Sequence, residues 1–428
     1  LFPNHQHCLG SKGIKQPKFR TLSQKLRKTV KLLFLSNGHG EDEIAIRIIK
    51  RLQSSPHCPD ITALPLVGNG YAYTRLGIPL LDRGQKMPSG GFITRDAKQL
   101  WRDLREGLLG LTSRQYRLVR NWGQEGGKIV AVGDILPLAL AWLSGTDYAF
   151  VGTAKSEYYL RDEQGWLDSS SMIDRLWGSY YYPWERWLMA HPRCRGVFPR
   201  DSLTSKILQQ WSIAVVDGGN PMMDDLLPSI TGDFPQDCLT ILLLPGSRFP
   251  ESLHNWQQIL AAVAAMIGRF PDYKLEFLSA IAPSLPPESF TAALIDRGWR
   301  EHSTNKFICQ EVFITISQRD YAEYLGRCHL AIAMAGTATE QFVGLGKPAI
   351  TIAGSGPQFT PHFAKLQQRL LGCSILLGDS AESVPDKLEY LLQNPPQWQE
   401  IAFNGRQRMG SAGASDRIAQ WLLGNFCP

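Results

Sequence analysis

Short apolar runs alternate with longer amphipathic stretches along nearly the whole chain. Runs at 30–35, 62–67, 129–132, 149–151 and 213–216 predict strands in the first half, with a helix over 42–52. The second half keeps a cleaner rhythm. Strands are predicted over 239–244, 274–278, 312–316, 330–334 and 349–352, with helical stretches between them such as 253–270 and 289–299. Within 253–270, Leu253, Trp256, Leu260, Val263, Ile267 and Phe270 recur at three- and four-residue spacing, which makes one core face. The longest apolar runs, 240–244 and 129–132, have the length of buried parallel strands. This alternation predicts an α/β protein with two Rossmann-like, doubly wound domains facing a cleft. A stretch rich in Gly, Pro, Asp and Ser at 218–236 marks the boundary between them. The expected organisation is a basic N-terminal arm over 1–29, a first domain over 30–220 and a second over 221–410. A final segment, 411–428, carries a helix that can pack back on the first domain.

The chain has 428 residues, enough for two ordinary domains. No uncharged apolar run is long enough to span a bilayer as a helix. The net charge of +6 misleads, because residues 1–40 hold eight cations and no acid, which leaves −2 for the rest. A nearly neutral body gives no support for a nucleic-acid partner. The eight cysteines are scattered without a Cys-x-x-Cys pair or a zinc spacing, so no metal site is expected. Reduced thiols and the lack of a secretory signal in the arm point to the cytoplasm.

One segment breaks the rhythm. Residues 89–124 carry Leu100, Trp101, Leu104, Leu108 and Leu111 on one helical face. Seven cations (Arg95, Lys98, Arg102, Arg105, Arg114, Arg117, Arg120) outnumber Asp96, Asp103 and Glu106 there. A second cluster runs from Trp177 through Tyr180, Tyr181, Tyr182 and Trp184 to Trp187. Basic and aromatic residues together suit a peripheral contact with an anionic membrane surface through 89–124. A packed helix hairpin with a solvated basic face is the alternative.

The candidate chemistry sits at predicted strand ends, where doubly wound sheets hold ligands. The run ending Leu244-Pro245-Gly246-Ser247-Arg248 and the turn Gly336-Thr337-Ala338-Thr339 each pass from strand to helix through small residues. Backbone N–H groups at a helix N-terminus attract an anion, and Arg248 can fork onto phosphate oxygens. Two such turns suggest a bound diphosphate, as in a nucleotide-sugar. For a base, Asp134 follows the strand 128–133, although Asp is also a favoured helix cap. His39, in the loop Asn37-Gly38-His39-Gly40, is the second candidate. Glu41 and Asp42 are expected to cap the next helix, with a site role for Asp42 as the alternative. Asp224-Asp225 reads as a helix start or solvated pair, so the phosphates are expected to be stabilised without a metal.

Here the residues reach a family. Residues 243–248, Leu-Leu-Pro-Gly-Ser-Arg, with Gly-Thr-Ala-Thr at 336–339 and Leu-Gly-Lys-Pro at 345–348, resemble lipid-A-disaccharide synthase. Phe359-Thr360 and Ala364-Lys365 fit the same half of that family. The first half is looser. The loop 36–42 sits where the family has a small-residue loop ending in Asp, and 128–134 resembles its strand ending in an essential Asp. Gly219-Asn220-Pro221-Met222 resembles its linker turn, with Asn220 where the family has His. The resemblance implies a divergent, metal-independent, inverting GT-B glycosyltransferase that uses no cofactor. It would take a nucleotide-sugar donor, UDP-linked, and a lipid acceptor at the inner face of a membrane. Gln341 stands where the family has the Glu that holds the donor ribose. A nucleotide-sugar epimerase or hydrolase of the same fold, or a non-catalytic nucleotide-sugar-binding protein, is the alternative.

Overall fold

The computed structural model describes residues 30–82, 108–226, 234–235, 237–354, 356 and 359–427. Two parallel sheets organise the chain. The first orders its strands β2-β1-β3-β4-β7, where β1 is Lys31–Ser36, β2 Asp60–Pro65, β3 Lys128–Gly133, β4 Tyr148–Gly152 and β7 Cys194–Phe198. Two short strands, β5 (Arg161–Asp162) and β6 (Gly165–Trp166), form a separate hairpin between β4 and β7. The second sheet holds β8 (Cys238–Leu244), β9 (Lys274–Ala280), β12 (Val312–Ser317), β13 (Leu330–Ala333), β14 (Ala349–Ile352) and β15 (Ile375–Gly378), all parallel. An antiparallel pair, β10 (Arg300–Ser303) and β11 (Lys306–Cys309), extends it at the β12 edge.

The apolar runs became these strands because helices cover both faces of each sheet. Leu33, Leu35, Ile129 and Ala131 enter one core, and Leu32, Phe34, Val130 and Val132 enter the core on the opposite face. The helix predicted over 253–270 is Glu251–Met266. It stops early because Ile267 turns extended and Gly268 takes a positive φ, yet Phe270 still packs into the core. The run 213–216 is no strand: only Val215 bridges to Val197. In the first sheet the strand missed instead is β7, whose sequence Cys-Arg-Gly-Val-Phe shows no long apolar run, and in the second sheet β10, β11 and β15 were missed as well.

The chain crosses between the sheets twice. It leaves the first domain through Gly219 to Asp224 and returns after the helix Pro395–Met409. The last helix, Ala414–Phe426, buries Ile418, Ala419, Leu422 and Phe426 in the first sheet's core. Asp224 fixes its start by accepting the N–H groups of Gly413, Ala414 and Ser415 at 2.5, 3.1 and 2.6 Å. Asp225 pairs with Arg51 at 2.8 Å. Of the basic segment, 89–107 lies outside the described residues. The helix Leu108–Gln124 buries Val119 and Trp122, and Gln115 donates to the Leu66 carbonyl at 2.8 Å. Arg114, Arg117 and Arg120 face out. Among the described residues no helix is long and apolar enough to cross a membrane.

Candidate functional site

The carboxyl ends of β1, β3 and β4 converge on a set of buried carboxyl groups. Chain direction explains this: parallel strands end side by side, so Ser36, Gly133 and Gly152 are neighbours. Gly133 has φ +137°, and a Cβ there would fall 1.9 Å from Asn37 Oδ1. The close approach seats Asn37 against Asp134, whose carboxyl accepts a hydrogen bond from the Asn37 side chain. Asp134 also accepts from Leu136 N–H at 3.0 Å and so caps the helix Ile135–Leu143. It is a cap and a buried carboxyl at once. Burial pushes its pKa up, against the pull of Leu136, Asn37 and the Lys155 charge. Lys155 itself is held by Glu185 at 2.5 Å.

Glu41 and Asp42 do not cap the helix His39–Gln53. Its N-cap is Gly38, in extended backbone with no side-chain bond, and both carboxyls turn inward. Ser36 Oγ donates to Asp42 at 2.6 Å and lies 2.6 Å from the Tyr73 hydroxyl. Burial raises the Asp42 pKa to about 7, with the charges of Glu41 and Glu43 adding to it and the Ser36 bond opposing. Glu41 is 5% exposed and accepts from Thr153 Oγ1 at 3.3 Å. Burial raises its pKa, and so does the charge of Asp134. His39 and Gly40, by contrast, are exposed at the first turn. A helix-start pattern in sequence does not tell an outward from an inward carboxylate, which is why both read first as caps.

In the second domain the two turns lie side by side because β8 and β13 are paired neighbours. Gly246 takes φ +96°, and a Cβ there would come 3.1 Å from the Met334 carbonyl. Asn255, buried, donates to the carbonyls of Pro245 at 3.1 Å and Met334 at 3.5 Å, stitching the turns together. Ser247 and Arg248 are exposed beyond them. In the other turn, Gly336 precedes the helix Thr337–Gly344; Thr337 is exposed, and Gly336 and Ala338 are half-buried. Thr339 is buried and donates to the Ala335 carbonyl at 2.6 Å, so its hydroxyl braces the turn. Gln367 donates to the Ala335 and Gly336 carbonyls at 3.0 and 3.3 Å from behind.

Other motif residues serve the linker and the second domain's own packing. Gln341 is buried with both ends of its amide engaged: Tyr321 OH donates to Oε1 at 2.6 Å, and Nε2 donates to the Met222 carbonyl at 2.7 Å. It ties the second domain to the linker. Asn220, also buried, accepts from Met222 N–H at 3.0 Å and caps the linker turn Pro221–Met223. Lys347 of the Leu-Gly-Lys-Pro stretch is buried and donates to the carbonyls of Leu325 and Gly326 at 2.8 and 2.7 Å. Burial lowers its pKa to about 8.

One residue with no motif joins the two sheet ends. Arg200, two residues past β7, pairs with Glu340 at 2.7 Å in the first turn after β13; their side chains are 4% and 13% exposed. The same guanidinium donates to the Thr153 carbonyl at 3.1 Å, and the Thr153 hydroxyl reaches Glu41. The carboxyl ends of the two sheets therefore face each other, with the buried carboxyls linked to the Gly336–Thr339 turn through Thr153, Arg200 and Glu340. The strand before Arg200 was not legible, so no sequence signal marked it.

No family model and no curated protein matches the chain. Solved structures do. The calicheamicin glycosyltransferase CalG4 aligns with TM-score 0.57 at 14% identity, covering 94% of this chain and 100% of that one. MurG from Acinetobacter baumannii aligns at 0.54 and 12%, covering 92% and 99%. The UDP-GlcNAc 2-epimerase from Neisseria meningitidis, bound to UDP-GlcNAc, aligns at 0.50 and 13%, covering 92% and 100%. The architecture is the two-domain GT-B fold.

Proposed function

We propose that the chain is a glycosyltransferase that moves a sugar from a UDP-linked donor to a lipid-linked acceptor at a membrane surface. The observation that carries this reading is the Arg200 bridge, which sets a buried, raised-pKa carboxyl cluster opposite the N-terminus of the helix Thr337–Gly344. The division of labour follows from chemistry. The Gly246–Arg248 and Gly336–Ala338 turns present N–H groups, hydroxyls and one guanidinium, which suit a diphosphate. Gln367 and Thr339 brace the Gly336–Ala338 turn from behind, and Gln341 ties its helix to the linker. Asp134 is the base: burial raises the pKa of its carboxyl, which makes it a stronger proton acceptor than a free aspartate. In the step, the acceptor hydroxyl yields its proton to Asp134 as its oxygen bonds to the anomeric carbon. The bond from that carbon to the diphosphate oxygen breaks, and the electron pair leaves with the diphosphate. His39, exposed on the rim beside Asn37, Gly38 and Gly40, is suited to contact the acceptor.

The lipid acceptor is supported by an apolar surface on the first domain. The helix Met172–Trp177 buries none of its residues, and Met172 and Leu176 are 86% and 82% exposed. Trp184 and Trp187 are exposed in the same region, with Trp184 stacked on Tyr182. Such aromatic and aliphatic groups suit a bilayer interface. The likeness to a UDP-GlcNAc 2-epimerase favours a second reading, in which the sugar returns to the nucleotide unmoved. Incubation with radiolabelled UDP-sugars and a total lipid extract separates the two. Label in the lipid phase is the expected result. Label kept on the nucleotide in an epimeric sugar, with none in lipid, would establish the epimerase.

A further inference from the structure

Glu340 is a carboxylate in an awkward place for a diphosphate site. It stands in the first turn of the helix Thr337–Gly344, about one turn, roughly 5 Å along the axis, from the N–H groups of that helix's start. Those first N–H groups have no intrahelical acceptor, and the dipole draws a first-turn acid toward them. A Glu folded back on them would occupy the donors that a phosphate needs, and its charge would repel a phosphate placed there. Glu340 is turned elsewhere. Its Oε2 accepts from Arg200 Nη2 of the first domain at 2.7 Å. The guanidinium is fixed from both domains, because Nη1 donates to the Thr153 carbonyl at 3.1 Å and Nη2 also lies 3.7 Å from Met409 Sδ. Its Nε is buried with no hydrogen-bond partner among the described residues. Asp201, the next residue, does not take Glu340's place: its carboxyl accepts Thr204 N–H at 2.7 Å and caps the helix Ser202–Leu208.

We propose that Arg200 is a positioning residue for the donor: it neutralises Glu340 and holds that carboxylate off the Gly336–Ala338 N–H groups, so that a residue of the first domain completes the diphosphate site of the second. This role rests on the diphosphate reading of that turn. Arg200, only 4% exposed, acts through Glu340 and not by touching the phosphates. Arg248, exposed beyond the neighbouring turn, is the cation left to meet them directly. Donor affinity therefore depends on the two sheet ends facing each other, because the ion pair spans them.

The test is calorimetric titration of the full chain with UDP, well below the melting temperature, for wild type, Arg200→Met, Glu340→Gln and the double variant. Arg200→Met leaves a carboxylate without its cation in the turn and should weaken UDP binding about tenfold. Adding Glu340→Gln removes that charge and should bring the affinity back to within about threefold of wild type. Lost packing at Arg200 would not be repaired by the second substitution, so a double variant as weak as Arg200→Met would overturn the role. Glu340→Gln alone leaves the Arg200 charge unopposed beside the turn and should tighten UDP binding about threefold. That variant decides the matter if Arg200→Met does not fold. Unchanged affinity in folded Arg200→Met, or equal or weaker affinity in Glu340→Gln, would overturn the role while wild-type binding left the diphosphate reading standing. A wild type with no affinity for UDP would defeat that reading and this role together.

Discussion

The two sheet ends that meet at Arg200 are built from opposite materials. At the first, carboxyls are pulled inside: Glu41, Asp42 and Asp134 are all buried, and all have pKa values raised by that burial. At the second, the turns are held from within by Asn255, Gln367 and Thr339, while Ser247, Arg248 and Thr337 stay open to solvent. The contrast teaches where each task belongs. A proton acceptor gains from a dry site that shifts its pKa, at a cost in stability. A diphosphate site gains from fixed N–H groups that remain reachable. The first end is thus suited to chemistry and the second to binding.

The strongest way to break this comparison is to cut the link. Arg200→Leu leaves Glu340 partly buried without its cation, and breaking such a pair costs about 3–5 kcal/mol. Denaturant unfolding should show that loss; a change below about 1 kcal/mol would mean the bridge does not hold the two ends. Next comes the chemical end alone. Asp134→Asn keeps the cap and removes the proposed base, so turnover should fall about a hundredfold while UDP binding stays the same. Turnover within about threefold of wild type would leave Asp134 as a cap only.

The binding end should respond in the complementary way. Arg248→Ala should weaken UDP affinity by about 2 kcal/mol, roughly thirtyfold, measured by calorimetry, with little change in melting temperature. Unchanged affinity would move the diphosphate elsewhere. A finer contrast lies in pH. Asp42 carries a folded pKa near 7 against 3.8 ordinarily, so its contribution to stability is full below pH 3.8 and is lost as pH rises through about 7. Asp42→Asn, with Ser36 still able to donate, should flatten that decline and raise the melting temperature at pH 8 by about 2 °C. The smallest effect belongs to the first domain's surface. Met172→Ser with Leu176→Ser should reduce binding to anionic liposomes about tenfold and leave UDP affinity untouched. Equal liposome binding would remove the support that this patch lends to a lipid acceptor.

The sequence by itself determined the elements whose physics is local. Apolar runs such as 240–244 became buried parallel strands, and the spacing of Trp256, Leu260 and Val263 became a core-facing helix. Pro245-Gly246 and Gly336 announced strand–helix turns, because a small residue at a strand end has few other uses. Asp134 was visible as well, since it directly follows a run that could only be a strand. Everything that depended on which strands are neighbours was hidden. Pairing of β1 with β3 sets Asn37 against Gly133, and pairing of β3 with β4 brings Thr153 up to Glu41. Gln341 occupies a motif position, but only the tertiary structure shows its amide spent on Tyr321 and Met222. Arg200 and Glu340 lie 140 residues apart and meet because two separate sheets turn their carboxyl ends toward each other. Periodicity records which face of an element is apolar; it carries no record of which distant element supplies a buried charge with its partner, and that pairing only packing decides.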